Sequence, residues 1–125
     1  MSLRPALLLT AFDRPQYLGP VLASWARVRG VAGWHLRVAV EPSPVRDEVV
    51  GLVRAFVEQV GHRDTEVVLN PERLGVLENP YAHLDALFGA GHDFVVRAED
   101  DLLVGDDVLE PVSYTHLTLP TKRIV

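Results

Sequence analysis

The feature that most constrains the fold is an alternation between short apolar runs and amphipathic helical repeats. Apolar runs of strand length occur at four places, and between consecutive runs lie segments whose apolar residues recur every three or four positions. Strands connected through helices require right-handed crossovers, which place the strands parallel in one sheet with helices packed against it. The alternation therefore predicts an α/β domain whose mainly parallel sheet carries helices on both faces.

The strands are predicted at residues 6–11, 36–40, 66–69 and 94–98, and the first two helices at residues 16–28 and 46–60. For the third helix, Asn79 and Pro80 supply an N-cap and a first-turn proline, and glycines at positions 89 and 91 end it. The segment RLGV at residues 73–76 is then predicted to be a turn before this helix.

Cysteine usage and hydropathy limit the cellular context. Cysteine is absent, which excludes disulfides and thiolate metal sites and fits a reducing compartment. No apolar run approaches the roughly 18 residues of a membrane-spanning helix. The start of the chain, MSLRPALLLTAF, leads directly into Asp13 and is interpreted as a strand rather than a signal peptide. We therefore expect a cytoplasmic protein without a membrane span.

The last segment, PVSYTHLTLPTKRIV, differs in composition from the rest of the chain. It contains the single lysine, Lys122, and three threonines within residues 115–121. Residues 111–121 resemble the translation of a transposon-end adapter used in sequencing libraries. We therefore expect residues 111–125 not to be native, exclude a strand there, and assign residues 1–110 to a partial, truncated domain.

The charge balance narrows the class of partner. With Lys122 and Arg123 set aside, ten arginines remain against 17 acidic residues, a net charge of −7. A balance this acidic argues against the backbone of a nucleic acid as a partner, because the phosphates would be repelled.

Polar clusters follow three of the predicted strands: FDRP at residues 12–15, EPSP at residues 41–44 and EDD at residues 99–101. In open parallel sheets, ligands bind outside the carboxyl ends of the strands, so we expect these clusters to face one crevice. Carboxylates that share a crevice repel one another unless they are solvated or a cation is present. A few oxygen ligands suit Mg²⁺ or Mn²⁺, which fill their remaining positions with water and substrate phosphates. The pattern predicts a nucleoside diphosphate as the ligand.

These motifs resemble the nucleotide-binding, N-terminal half of GT-A glycosyltransferases. The resemblance rests on an apolar strand that ends in the DRP triplet, on an acidic residue after the second strand, and on EDDLLVGDDVLE after the fourth. It covers most of residues 6–110 and is nearest to N-acetylglucosaminyltransferase I-like and family 2-like enzymes. It implies a Rossmann-like domain that binds a nucleotide-diphosphate sugar in the presence of Mn²⁺ or Mg²⁺.

For the acidic motif, the resemblance implies that Asp101, with Asp100, ligates the cation that bridges the donor's diphosphate. Asp100 and Glu99 would also contact the sugar nucleotide or support its site. The leaving group of such a reaction is a nucleoside diphosphate, whose developing negative charge a bound cation stabilises.

For the other two strand ends, the resemblance implies that Phe12 and Arg14 lie beside the nucleotide. Glu41 matches the acidic position that contacts the base or the ribose. The family often has an aspartate there, so this chain departs from the pattern by one methylene group.

The catalytic base and the acceptor-binding loops of the family lie after the metal motif, so we expect them beyond residue 110 and expect residues 1–110 alone to be inactive. Two other functions remain open. A Mg²⁺-dependent phosphoryl or nucleotidyl transferase could use the same acids, although AFDRPQYLG lacks a glycine-rich phosphate loop. A non-catalytic α/β binding module would bind no nucleotide in a metal-dependent way.

Overall fold

The computed structural model describes residues 4–61, 64–105 and 108–109, with the side chain of residue 76 left out, and the adapter-like residues 111–125 lie outside this set. The strands and helices alternate along the chain as β1 Pro5–Ala11, α1 Pro15–Ala26, β2 His35–Val40, α2 Arg46–Val60, β3 Thr65–Leu69, α3 Gly75–Gly89 and β4 Phe94–Glu99. A short 3₁₀ turn, Val31–Gly33, precedes β2. Among the helices described, none is long and apolar enough to cross a bilayer.

The four strands form one parallel sheet in the order β3-β2-β1-β4, so β1 lies between β2 and β4. The register pairs Leu9 of β1 with Val38 of β2 and with Ala98 of β4. The predicted α/β fold with a parallel sheet is therefore confirmed. Because all the strands run in the same direction, their carboxyl ends meet at one edge.

The two faces of the sheet differ in polarity. On one face, Leu7 and Leu9 of β1 belong to a large apolar cluster that includes Leu18 and Trp25 of α1 and Phe56 of α2. On the other face, the apolar cluster is smaller, and among the described side chains of α3 its buried members are Leu84 and Leu87. The rest of the second face carries buried polar side chains, so helix α3 is held partly by hydrogen bonds.

The start of α3 differs from the prediction. The helix begins at Gly75, with Leu74 at the N-cap, so Asn79 is not the N-cap and Pro80 lies inside the helix. Residues 75 and 76 of the RLGV segment therefore belong to the first turn of the helix and not to a preceding turn. The physical reason is a long-range contact: the carboxylate of Glu41 accepts hydrogen bonds from the backbone N–H groups at 74 and 75.

Two glycines, one within α2 and one at its C-terminal cap, provide a matched test of where α2 ends. Gly61 ends the helix with φ of 71°, whereas Gly51 lies within the helix, and a Cβ at either position meets no other atom within 4 Å. We expect Gly61→Ala to lower the free energy of unfolding by about 1 kcal/mol, because an L side chain disfavours the left-handed region. Gly51→Ala should raise it by up to about 1 kcal/mol. Urea denaturation measures both, and equal effects would contradict the assigned end of α2.

Candidate functional site

A cleft of about 210 Å³ opens at the carboxyl edge of the sheet. Its lining includes every residue predicted for the site: Phe12, Arg14, Glu41, Glu99, Asp100 and Asp101. The start of α3 forms a further wall, with Arg73, Gly75 and Asn79. The structure therefore brings the predicted residues together, and it adds a wall that the strand ends alone did not indicate.

The convergence follows from the register of β1. Thr10, near the end of β1, is paired with Glu99 of β4, and Ala11 is paired with Val40 of β2. The backbone N–H of Glu41 then donates to the carbonyl of Ala11 at 2.9 Å. The segments that follow β1, β2 and β4 consequently leave the sheet side by side.

Within the acidic motif, the two aspartates have different environments. Asp100 is half-buried, and its Oδ2 accepts a hydrogen bond from the N–H of Phe12 at 3.1 Å. Burial raises the pKa of Asp100, the N–H of Phe12 opposes this rise, and the charge of Asp101 adds to it. Asp101 is exposed, with its Oδ2 3.7 Å from Nη1 of Arg14. The cleft therefore contains one carboxylate with a raised pKa, Asp100, next to one that is exposed to solvent, Asp101.

Glu99 is paired within its own strand. Nη2 of Arg97 donates to its Oε1 at 2.7 Å, and both side chains are partly exposed beside the cleft. Arg97 is thus the ion-pair partner of Glu99. This pairing leaves Glu99 less free to bind a cation than Asp101.

Glu41 is 4% exposed, and both of its carboxylate oxygens are engaged. Oε1 accepts from Nδ2 of Asn70 at 2.7 Å, and Oε2 accepts from the N–H groups of Leu74 at 3.0 Å and Gly75 at 2.7 Å. Burial opposes its ionisation, but these donors and the charge of Arg73 outweigh burial and lower the pKa of Glu41. A role in contacting the base or the ribose stays a prediction, and the structure shows a cap for α3.

Among the lining residues outside the predicted set, Arg73 and Asn79 make the contacts that shape the α3 wall. The guanidinium of Arg73 lies 4.5 Å from the centroid of the Phe12 ring, a cation–π contact between two side chains that line the cleft. Asn79, predicted to be a helix cap, is 4% exposed and lines the cleft. The sequence contains a weak signal for each: the RLGV segment for Arg73, and for Asn79 the four-residue spacing to His83, which indicates a shared helix face near the site.

The acidic residues fit a cation only in part. Within residues 4–61, 64–105 and 108–109, no group of three or more histidine, aspartate or glutamate side chains is placed to hold a metal ion. Mg²⁺ and Mn²⁺ need only one or two carboxylates when water and substrate phosphates supply the other ligands. Asp101, and Asp100 beside it, therefore fit a cation that arrives with a phosphate ligand.

The fold and its cleft define a parallel α/β domain of the kind that binds ligands at the carboxyl edge of the sheet. Among solved structures, it is similar to Staphylococcus aureus TarS, with a TM-score of 0.72 and 16% identity over 90% of this chain and 19% of that chain. It is also similar to S. aureus TarS 1-349 in complex with UDP, with a TM-score of 0.67 and 16% identity over 90% of this chain and 31% of that chain.

At this identity the likeness to TarS shows a shared fold, and the chain spans less than a third of the TarS chains it matches. Neither a scan against models of protein families nor a search of curated protein sequences finds a match.

The cap on α3 can be tested by removing the carboxylate. We expect Glu41→Ala to lower the free energy of unfolding by about 2 kcal/mol, because two N–H groups and Asn70 lose their acceptor. The exposed Glu72→Ala, as a control, should change it by less than about 0.5 kcal/mol.

The pH dependence of this cap has a definite sign. Because the folded-state pKa of Glu41 is lowered, its contribution is fully present above the ordinary value of 4.5 and is lost as the pH falls through the lower folded value. Denaturation curves of wild type and Glu41→Ala should therefore converge in acid. A difference in stability that is independent of pH would contradict the role of the carboxylate.

Proposed function

We propose that this chain is the donor-binding half of a metal-dependent glycosyltransferase, which binds a nucleotide-diphosphate sugar in the cleft. The observation that carries the proposal is the meeting of the acidic motif with Arg14 and Arg73 at the carboxyl edge of a TarS-like fold. TarS is a glycosyltransferase. The TarS 1-349 structure to which this chain is similar was solved in complex with UDP. We take UDP as the first ligand to test for this reason.

The charges of the cleft suggest an orientation for the nucleotide. The Phe12 ring and the Arg73 guanidinium offer a flat, partly apolar surface suited to a base. Arg14 and Asp101 lie together in the same cleft, where an arginine can bind a phosphate oxygen and an aspartate can hold a cation on it. The diphosphate would therefore lie towards the acidic motif.

The residues that would hold the cation are Asp101 and Asp100, with Mn²⁺ or Mg²⁺ as the ion. When bound, the cation neutralises the charge that develops on the diphosphate leaving group. Arg14 supplies a second positive charge on the same side. Burial and the charge of Asp101 raise the pKa of Asp100, so a cation beside it would favour its charged form.

The acceptor, the catalytic base and the closer relationship to N-acetylglucosaminyltransferase I-like or family 2-like enzymes belong to the proposal. An inverting transferase needs a base across the sugar from the leaving group, and we place it beyond residue 110. A cytoplasmic location, which the lack of cysteine suggests, stays a prediction.

We expect the full chain to bind UDP in titration calorimetry when Mn²⁺ is present and to lose this binding when a chelator is added. Mn²⁺ alone should bind much more weakly than Mn²⁺ with UDP, because the protein supplies at most two carboxylates. Binding of Mg²⁺-ATP in place of UDP would support the phosphoryl-transfer alternative. If neither nucleotide binds in a metal-dependent way, the non-catalytic binding module is the remaining function.

A substitution in the acidic motif tests the metal ligand. Asp101→Asn should weaken Mn²⁺-dependent UDP binding at least about tenfold, because an amide replaces a charged ligand. Asp85→Asn removes the same charge from the exposed side of α3 and should leave the affinity unchanged. Equal affinities for wild type and Asp101→Asn would remove Asp101 from the proposed metal site.

A further inference from the structure

A chain of hydrogen-bonded side chains runs under α3 and ends at the cleft. Nε of Arg37 on β2 donates to Nδ1 of His83 on α3 at 2.8 Å, and Nε2 of His83 lies 2.9 Å from Oδ1 of Asn70. Nδ2 of Asn70 then donates to Glu41 at 2.7 Å and to Oδ1 of Asn79 at 2.9 Å. We call Arg37, His83 and Asn70 the relay.

Each bond in the relay has only one possible direction. Arginine has no acceptor atom, so Nδ1 of His83 must accept from Arg37. The proton of the neutral imidazole then sits on Nε2, which donates to Oδ1 of Asn70. The amide nitrogen of Asn70 therefore faces Glu41, whose ionised carboxylate can only accept. Arg37 can only donate and the ionised Glu41 can only accept, so the directions of the hydrogen bonds between them are fixed.

The relay decides which atom Asn79 offers to the cleft. Oδ1 of Asn79 accepts from Asn70, so Nδ2 is the atom left over. Asn79 lines the cleft, and no residue in the described part of the chain accepts from this Nδ2. Among the described residues, only Nε1 of Trp25 and Nε of Arg97 are buried without a partner, so Nδ2 of Asn79 reaches solvent. A ligand oxygen in the cleft can replace the water that accepts from it.

We propose that Asn79 is a specificity-determining residue that donates a hydrogen bond to an oxygen of the ligand, and that His83 and Asn70 are positioning residues that orient it. The identity of the ligand as a nucleoside diphosphate rests on the proposed function. The polarity of the relay rests only on the contacts above. The cleft wall formed by α3 then selects ligands with an acceptor oxygen at this point.

The surroundings of His83 agree with a neutral ring. Burial lowers the pKa of His83, the facing Arg37 lowers it further, and the carboxylates of Glu66 on β3 and Glu41 after β2 oppose this. Protonation would place an N–H of the ring against the N–H of Arg37, which breaks the first bond of the relay. The relay is therefore intact at neutral pH and is lost in acid.

The donor itself is tested by two substitutions. Asn79→Asp keeps an acceptor for Asn70 but replaces the donor that faces the cleft, and Asn79→Leu removes both polar atoms without adding charge. We expect each variant to bind UDP with Mn²⁺ at least about tenfold more weakly in calorimetry. If only Asn79→Asp loses affinity, the effect is one of charge, and the proposal is overturned.

The relay is tested at His83. His83→Leu should weaken UDP binding about tenfold, whereas His83→Gln, which offers one donor and one acceptor, should restore most of the affinity. His92→Leu is the matched control, because His92 is also buried but contacts the backbone of Arg4 and the ring of His35. If His83→Leu lowers the melting temperature and leaves the affinity unchanged, the residue is merely structural.

A pH series separates positioning from packing. The affinity of wild type relative to His83→Gln should be constant above the ordinary histidine pKa of 6.5 and should fall only as the pH passes below the lowered pKa of His83. The glutamine variant carries the same titrations of the nucleotide and the cleft acids, so the ratio isolates His83. If the ratio of the two affinities does not change as the pH is lowered, the His83 ring does not position Asn79.

A spectroscopic measurement distinguishes this inference from the proposed function. If wild type binds no UDP, the donor-binding function fails, and ¹⁵N spectra of the full chain then decide the relay. A neutral His83 with its proton on Nε2, and side-chain amide signals of Asn70 and Asn79 that shift in His83→Leu, support it. The other tautomer, or unchanged amide signals, overturns it.

Discussion

The hydrogen bonds between the Glu41 carboxylate and the N-terminus of α3 are the contact on which the cleft depends. They join the end of β2 to the N–H groups of Leu74 and Gly75, while the N–H of Glu41 is bonded to Ala11 of β1. Hydrogen bonds to an ionised group are stronger than those between neutral groups, so this cap can decide where the helix begins. The first turn of α3 is thereby drawn over the carboxyl edge of the sheet.

The carboxylates of the cleft divide into those bound within the chain and those available to a ligand. Glu41 is held by the cap and Glu99 by Arg97, so neither is free to ligate a cation without breaking a short contact. Asp101 is reached by solvent, and Asp100 is half-buried with a raised pKa. In the proposed function, the cation is therefore bound by Asp100 and Asp101, while Glu99 lines the cleft.

How much could be predicted depends on the distance in sequence between the interacting groups. Helix α2 was predicted at 46–60 and is observed at Arg46–Val60, because the spacing of its apolar residues and its terminal glycine are local signals. The start of α3 was predicted wrongly at Asn79, because its cap comes from a residue more than thirty positions earlier. The spacing of Asn79 and His83 indicates a shared helix face, and RLGV marks Arg73, but only contacts across the sheet reveal what Arg73 and His83 do.

The sequence by itself determined the order of strands and helices, the parallel sheet that this order requires, and the polar segments after three strands. Hydrophobic periodicity and chain connectivity are enough for these, because both act along the chain. Tertiary structure decided which acids are held by short contacts within the chain and which solvent can reach, where α3 begins, and which atom Asn79 presents to the cleft. These depend on hydrogen bonds between groups that meet only when the sheet has formed, and the direction of each is set by the polarity of its distant partner.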